Sequence, residues 1–261
     1  MDRALYVSAS ALSNYHECPR KFFLSRVWRP VGLERPRYFQ VGWEAHALLS
    51  GEITEEAADA DAVAAAKALS ALEKQLMLVP LERELWQQFS LAGTETVDGR
   101  RLGDVVLSRR VDMVARDAAG HEVLVDYKTA GNPWEVVLWE VDDDAVWVAP
   151  MAYGVQSVLY LLPPPDRQFW PRKIVYLVYS FRRRKSQVFD YKGSEEDLQR
   201  VLCEIADIEE QWREGEQAFR KHVGYPCTRC AWAGKCWSPE ASAEFYEPMV
   251  LEDGVVEEDD G

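Results

Sequence analysis

The sequence predicts an α+β fold, with a central mixed sheet flanked by helices. Three strand-like runs at 78–91, 102–116 and 121–130 are separated by Gly93, Gly99, Gly103 and the "DAAG" turn, as in an antiparallel meander. Helical segments precede and follow them, and the order α, β, β, β, α, β is that of an α+β core. The 261 residues, 48% hydrophobic and 11% aromatic, suffice for one large globular domain and are too apolar for a disordered chain.

Ser8 or Ser10 is placed to cap a first helix carrying "ALSNYHECPRKFFLSR". A second helix contains Gly42 to Leu49, and the Ala-rich "EEAADADAVAAAKALSALEKQL" adds helical structure before the first strand. The strands are "LVPLERELWQQFSL", "LGDVVLSRRVDMVAR" and "HEVLVDYKTA". Residues 131–149 are irregular and hold Trp134, Trp139 and Trp147. "MAYGVQSVLYLL" reads as a buried helix stopped by Pro163, Pro164 and Pro165. Two more strands, "RKIVYLVYSF" and "SQVFDY", lead into an amphipathic helix with Ser194 as N-cap and acids in its first turn. Residues 251–261 carry six acids and no base, the composition of a solvated, disordered tail.

The apolar runs are short and broken by charge, which excludes a membrane helix. The N-terminus lacks the apolar stretch of a secretory signal, so the chain is expected in the cytoplasm. Its five cysteines are then not a disulfide framework. No G-x-x-x-x-G-K-[ST] loop is present, so any helicase partner is a separate protein. The net charge of −14 weighs mildly against a nucleic-acid binder. Arg182, Arg183, Arg184 and Lys185 nevertheless form a local basic run, either a phosphate track or an exposed hairpin. The three tryptophans of 131–149 are either a lid that stacks on bases or the packing of a long loop.

The candidate chemistry lies in the meander. Asp126 and Lys128 follow the apolar Val123–Val125 and share a strand face. On the preceding strand, Asp112 stands among Val111, Met113 and Val114. Two close, partly buried carboxylates raise each other's pKa unless a cation sits between them. Mg²⁺ and Mn²⁺ favour such oxygen donors. Asp112, Asp126 and the Tyr127 carbonyl then supply ligands, while Lys128 orients water or offsets charge on a phosphate. The competing reading is a structural ion pair with Lys128. Taken alone, His46 on its apolar helix reads as a core histidine, and Gln156 and Tyr160, at i and i+4, as helix packing.

Cys227, Cys230 and Cys236 form a C-x₂-C-x₅-C run, a metal-site pattern in a reducing compartment. Cys203, Cys18 and His222 are the candidates for a fourth ligand. Zinc and an iron–sulfur cluster are both chemically suited to thiolates.

Together these pieces resemble the RecB-type branch of the PD-(D/E)xK nuclease superfamily. That family's ordered motifs match Gly42 to His46 (G-x-x-x-H), Asp112 after an apolar strand, Asp126 to Lys128 (D-x-K) and Gln156 to Tyr160 (Q-x-x-x-Y). Glu82 resembles the glutamate that often opens the first strand of the family. The resemblance implies a PD-(D/E)xK core over about 40–192, with His46, Asp112, Asp126 and Tyr127 around Mg²⁺ or Mn²⁺. It makes Lys128 catalytic, with Gln156 and Tyr160 positioning the DNA strand. A subset of these nucleases, including AddB-type and CRISPR-associated exonucleases, has one cysteine in a "C-P-x-K-F" context before the core and three after it. Cys18 to Phe22 matches that context. The resemblance therefore implies a [4Fe–4S] cluster on Cys18, Cys227, Cys230 and Cys236, stapling segments 1–30 and 193–248 within a single nuclease domain of residues 1–250. The expected activity is cleavage of single-stranded DNA ends, 5′ to 3′, with recombination or CRISPR-adaptation proteins as partners. The rival class is a non-catalytic DNA-binding or assembly subunit on a nuclease scaffold.

Overall fold

The computed structural model describes residues 4–31, 37–130, 151–181, 183–224, 227–228, 230–238 and 245–249. Trp134, Trp139, Trp147, Arg182 and the tail at 251–261 lie outside the described residues. The chain divides into two compact units, one drawn from 1–34, 88–108 and 195–261 and the other from 35–87 and 109–194.

The second unit contains α3 (Arg37–Ser50), α4 (Ala60–Gln75), most of β3 (Val79–Ser90) and the greater part of β4 (Val105–Arg116). It continues with β5 (Glu122–Ala130), α5 (Met151–Leu161), β6 (Lys173–Ser180) and β7 (Lys185–Lys192). β4 and β5 pair antiparallel, β5 and β6 parallel, and β6 and β7 as an antiparallel hairpin, while β3 pairs with β4. The sheet is thus mixed. Its two faces follow the period of two expected of strands. Val123, Val125, Tyr127, Val175 and Leu177 pack with Val41 and Ala45 of α3 and Leu69 of α4. Leu124, Ile174, Tyr176 and Val178 pack on the other side, with Tyr160 of α5 and Phe189 of β7.

Two strands break that period next to the acids. Val111 and Val114 of β4 share one apolar cluster although they are three residues apart, while Met113 and Ala115 belong to the other. β4 therefore changes phase around Asp112, as a strand does at a bulge. In β3, Glu84 has φ of 52°, the left-handed region that residues other than glycine rarely enter. Arg83 reaches Tyr127 on the face of α4, whereas Leu85 packs into the opposite cluster.

The first unit holds β1 (Leu5–Val7), α1 (Ala9–Glu17), α2 (Pro19–Val27), β2 (Trp28–Pro30), α6 (Glu195–Glu214), α7 (Ala233–Trp237) and β8 (Tyr246–Pro248). β1 pairs parallel with Val105–Leu107, and β2 pairs antiparallel with β8. These three short strands are absent from the expectation, being too short to show a period. The single N-terminal helix expected from sequence is two helices. Ser8 caps α1, its hydroxyl accepting the Ala11 N–H at 3.1 Å. The helix ends at Cys18 because Pro19 lacks an N–H and suits the first position of α2. Phe22 and Phe23 of α2 pack on Phe219, and Phe23 also meets Trp212 of α6. Among the described residues no helix is long and apolar enough to cross a membrane.

Candidate active site

α3 delivers His46. A Cβ on Gly42 would lie 2.9 Å from Thr129 Oγ1, so the helix approaches the end of β5 closely enough that any side chain there would have to displace Thr129. The His46 ring stands edge-on to Tyr127, with centroids 5.7 Å apart, and its Nδ1 lies 3.3 Å from Asp112 Oδ1. The other Asp112 oxygen accepts the Tyr127 N–H at 2.6 Å. That bond forms where the β4–β5 ladder stops, beyond Met113 and Val125. Burial works against both charges, yet their mutual attraction raises the His46 pKa and lowers that of Asp112, which Lys128 and the Tyr127 N–H also help to stabilise.

Glu84 completes the group. His46, Glu84 and Asp112 offer ligand atoms all within 4.8 Å of one another, an imidazole and two carboxylates suited to Mn²⁺ or Mg²⁺. Arg110 Nε donates to Glu84 Oε2 at 2.6 Å, and its Nη2 lies 3.7 Å from Glu52. Burial and the nearby Asp112 raise the Glu84 pKa. The expected first-strand acid, Glu82, instead pairs with Arg167 at 2.9 Å. Glu82 and Glu84 share a parity, so alternation could not separate them. The β3 kink aims the second inward, and no sequence pattern marks it.

Asp126 and Lys128 meet as their strand face predicts, with Lys128 Nζ 2.7 Å from Asp126 Oδ2. Gln156 Nε2 donates to Asp126 Oδ1 at 2.9 Å. Burial pushes the Asp126 carboxyl up to about 6, with Lys128 opposing and Asp112 adding to the rise. The Tyr160 hydroxyl is buried and donates to the Arg110 carbonyl at 2.8 Å, so it holds the β4 backbone. The Tyr127 hydroxyl donates to Glu73 at 2.5 Å and accepts from Arg83 at 2.6 Å. Arg109 was missed as a site-building residue. Fully buried, it donates to the carbonyls of Leu159, Tyr160 and Leu162 at 2.6, 2.9 and 2.7 Å, tying the end of α5 to β4.

Arg183, Arg184 and Lys185 are exposed at the β6–β7 turn. Because β5 and β6 are parallel, with Lys128 opposite Val178 and Ala130 opposite Ser180, this turn lies at the same sheet end as Lys128.

In the other unit, the backbone gathers Cys18, Cys227, Cys230 and Cys236. The Cys18 sulfur accepts the His222 N–H at 3.4 Å, and the Cys227 thiol donates to the His222 carbonyl at 3.5 Å. Burial raises the thiols of Cys230 and Cys236, and the nearby Cys18 raises both further. Four clustered thiols are a donor set chemically suited to iron or zinc. The His222 ring lies instead against the Glu17 carbonyl, with Nδ1 3.2 Å away. Cys203 sits in α6, where its carbonyl accepts from Arg100 at 3.2 Å.

Several solved structures are similar to this chain. A candidate exonuclease from Eubacterium rectale is 12% identical with a TM-score of 0.55, covering 86% of this chain and 87% of that one. This likeness shows a shared fold. A structure named SSO0001 (13% identical, TM-score 0.40, 89% and 86% covered) and LHK-Exo in complex with dAMP (11%, 0.27, 81% and 92%) also match, too loosely to carry an argument. No curated protein matches the sequence. The model of the PD-(D/E)XK nuclease superfamily, whose members use divalent metals, matches residues 6–237. That span takes in α3, the kinked strands and the Asp126–Lys128 pair, and the chain belongs to the PD-(D/E)XK nuclease superfamily.

Proposed function

We propose that the chain is a Mg²⁺- or Mn²⁺-dependent DNA exonuclease acting on single-stranded ends, of the RecB-like kind, with 5′ to 3′ polarity favoured by that family resemblance alone. The observation that carries this reading is the His46–Glu84–Asp112 group within electrostatic reach of the Asp126–Lys128 pair. His46, Glu84 and Asp112 would hold the cation, with Asp126 and the Tyr127 carbonyl as further oxygen ligands. A divalent cation, when bound, supplies Lewis-acid polarisation of a phosphoryl oxygen and favours ionisation of the attacking water. Lys128, fixed by Asp126, faces the phosphate and offsets its growing negative charge. Gln156 keeps Asp126 in place, and Tyr160 acts through the β4 backbone that carries Arg110. Arg183, Arg184 and Lys185, with Arg182 between β6 and β7, follow the DNA backbone.

We further propose that Cys18, Cys227, Cys230 and Cys236 hold a [4Fe–4S] cluster with a structural role, as in the CRISPR-associated and AddB-type relatives. What supports a cluster over a single zinc is the C-P-x-K-F context at Cys18–Phe22 together with three cysteines after the core.

The test is cleavage of end-labelled single- and double-stranded DNA with Mg²⁺, Mn²⁺ or EDTA, alongside metal analysis of protein purified without oxygen. Metal-dependent release of short products from single-stranded ends is expected, with about four irons per chain. DNA binding without cleavage in either metal would favour the scaffold reading, and zinc without iron would remove the cluster.

A further inference from the structure

α3 carries a row of aromatic side chains, exposed at Tyr38 and Trp43 and half-buried at Phe39, that core packing does not explain. Val41 and Ala45 face the core, whereas Tyr38 is 54% exposed and Trp43 is 53% exposed. Phe39, Trp43 and His46 stand at i, i+4 and i+7, a spacing that lines them along one side of a helix. Tyr38 joins the upper end of the row, its ring centroid 4.4 Å from that of Phe39. The lower end is His46, a member of the group that can hold a metal. Gly42, next to Trp43, is where the helix comes closest to the end of β5, its missing Cβ 2.9 Å from Thr129 Oγ1. Single exposed aromatics are ordinary on protein surfaces. A row that leads into a metal group is a continuation of that site.

We infer that Phe39 and Trp43 form a stacking platform for the unpaired bases of a DNA strand whose backbone passes His46, so that α3 selects single strands. The inference rests on the nuclease reading above and names how its site chooses a substrate. Bases in a duplex stack on each other and present only edges, whereas an unpaired base offers its face to an aromatic ring. A chain with a net charge of −14 gains less from counterion release than a basic DNA binder, so ring stacking has to carry more of the affinity. The occupant is a nucleic-acid strand rather than a protein, because the row ends at residues suited to a metal and a phosphate.

The test uses the full chain in EDTA, where binding is read without cleavage, by fluorescence anisotropy of a labelled single-stranded oligonucleotide. A duplex and an abasic strand of equal length serve as comparison probes. Trp43→Ala should weaken single-strand binding about five- to hundredfold, the range of one stacked base. Trp43→Phe should restore most of it, duplex binding should move less than about twofold, and Mn²⁺ affinity should stay unchanged. Wild-type protein should also bind the abasic strand more weakly than the normal one, a comparison that needs no variant to fold. Equal affinity for normal and abasic strands would overturn the inference. So would a Trp43→Ala protein that binds single strands as the wild type does, or that loses both DNA forms alike. Cleavage by the wild type in Mn²⁺ keeps these outcomes separate from failure of the nuclease reading itself.

Discussion

The acid site of one unit and the cysteine group of the other both gather negative or ionisable groups, but they compensate them differently. In the acid site each carboxylate already has a cation from the protein: Asp112 has His46, Glu84 has Arg110 and Asp126 has Lys128. Among the cysteines, burial and the neighbouring thiols raise Cys230 and Cys236, with Lys21, Lys221 and Arg20 opposing only through space. An ion pair fixes geometry before any metal arrives, whereas thiols that disfavour each other's ionisation become a stable set only around a metal. The acid site is therefore expected to keep its shape under chelation, and the cysteine group to depend on its occupant.

The largest effect should come from breaking the acid site. Asp126→Ala is expected to lower the Mn²⁺-dependent cleavage rate by about a hundred- to a thousandfold or more. The unfolding midpoint should hold, because the change removes a buried carboxyl whose pKa burial has already pushed up to about 6. Lys128→Ala should lose cleavage as fully but cost some stability, since it leaves Asp126 buried without its cation. Near-wild-type rates in either variant would remove the site. EDTA should stop cleavage with little change in the melting curve.

The cysteine group should respond in the opposite sense. Cys18→Ser is expected to lose bound iron and about 3–5 kcal/mol of stability, because the cluster would close a loop of roughly two hundred residues. Hydrogen exchange should locate the loss in α1, α2 and the segment from Lys221 onward. Cys203→Ala should keep the iron and lose about 1 kcal/mol or less. A Cys18→Ser protein with full iron content would transfer the fourth ligand elsewhere.

The same contrast explains what the sequence disclosed. The strand at Val123–Val125 was plain as a continuous apolar run, because both faces of β5 are buried, and the period of two along it puts Asp126 and Lys128 on one face. Glu84 could not be read the same way, because it shares its parity with Glu82 and only the positive φ at its kink turns it inward. The break at Cys18 was written in Pro19, yet the helical pattern on both sides concealed it. β1, β2 and β8 are three residues each, shorter than any periodic signal, and only tertiary pairing makes them strands. The role of Arg109 was hidden because a buried arginine and an exposed one look alike in sequence.

Arg109 offers the next test. Burial lowers its pKa, and the carbonyls of Leu159, Tyr160 and Leu162 offset the cost by presenting the negative end of α5 to its charge. Arg109→Met should cost about 2–4 kcal/mol by removing the guanidinium from the Leu159 and Leu162 carbonyls, while the Tyr160 carbonyl keeps the Trp170 indole N–H. Cleavage should fall as well, since α5 carries Gln156 to Asp126. Arg109→Lys should recover only part of both, because one ammonium cannot reproduce the planar guanidinium. If Arg109→Met keeps full stability, the helix end has another source of compensation.

The smallest expected effect is the most specific to metal holding. Arg110 is about one-third exposed, with Nε bonded to Glu84 at 2.6 Å. Its ion pairs therefore add little to folding, by the usual worth of partly exposed pairs. It does fix which way Glu84 points, at a residue whose backbone already sits at φ 52°. A hydrogen-bonded partner behind a ligating carboxylate typically accounts for about 10- to 100-fold in metal affinity. Arg110→Ala should therefore weaken Mn²⁺ binding by about that factor, measured by titration calorimetry, while the melting temperature moves by a few degrees at most. Arg110→Lys should recover part of the affinity through charge without the planar contact. Equal Mn²⁺ affinity in wild type and Arg110→Ala would show that the kink in β3 alone aims Glu84, and a large loss of stability with unchanged affinity would make Arg110 a folding residue.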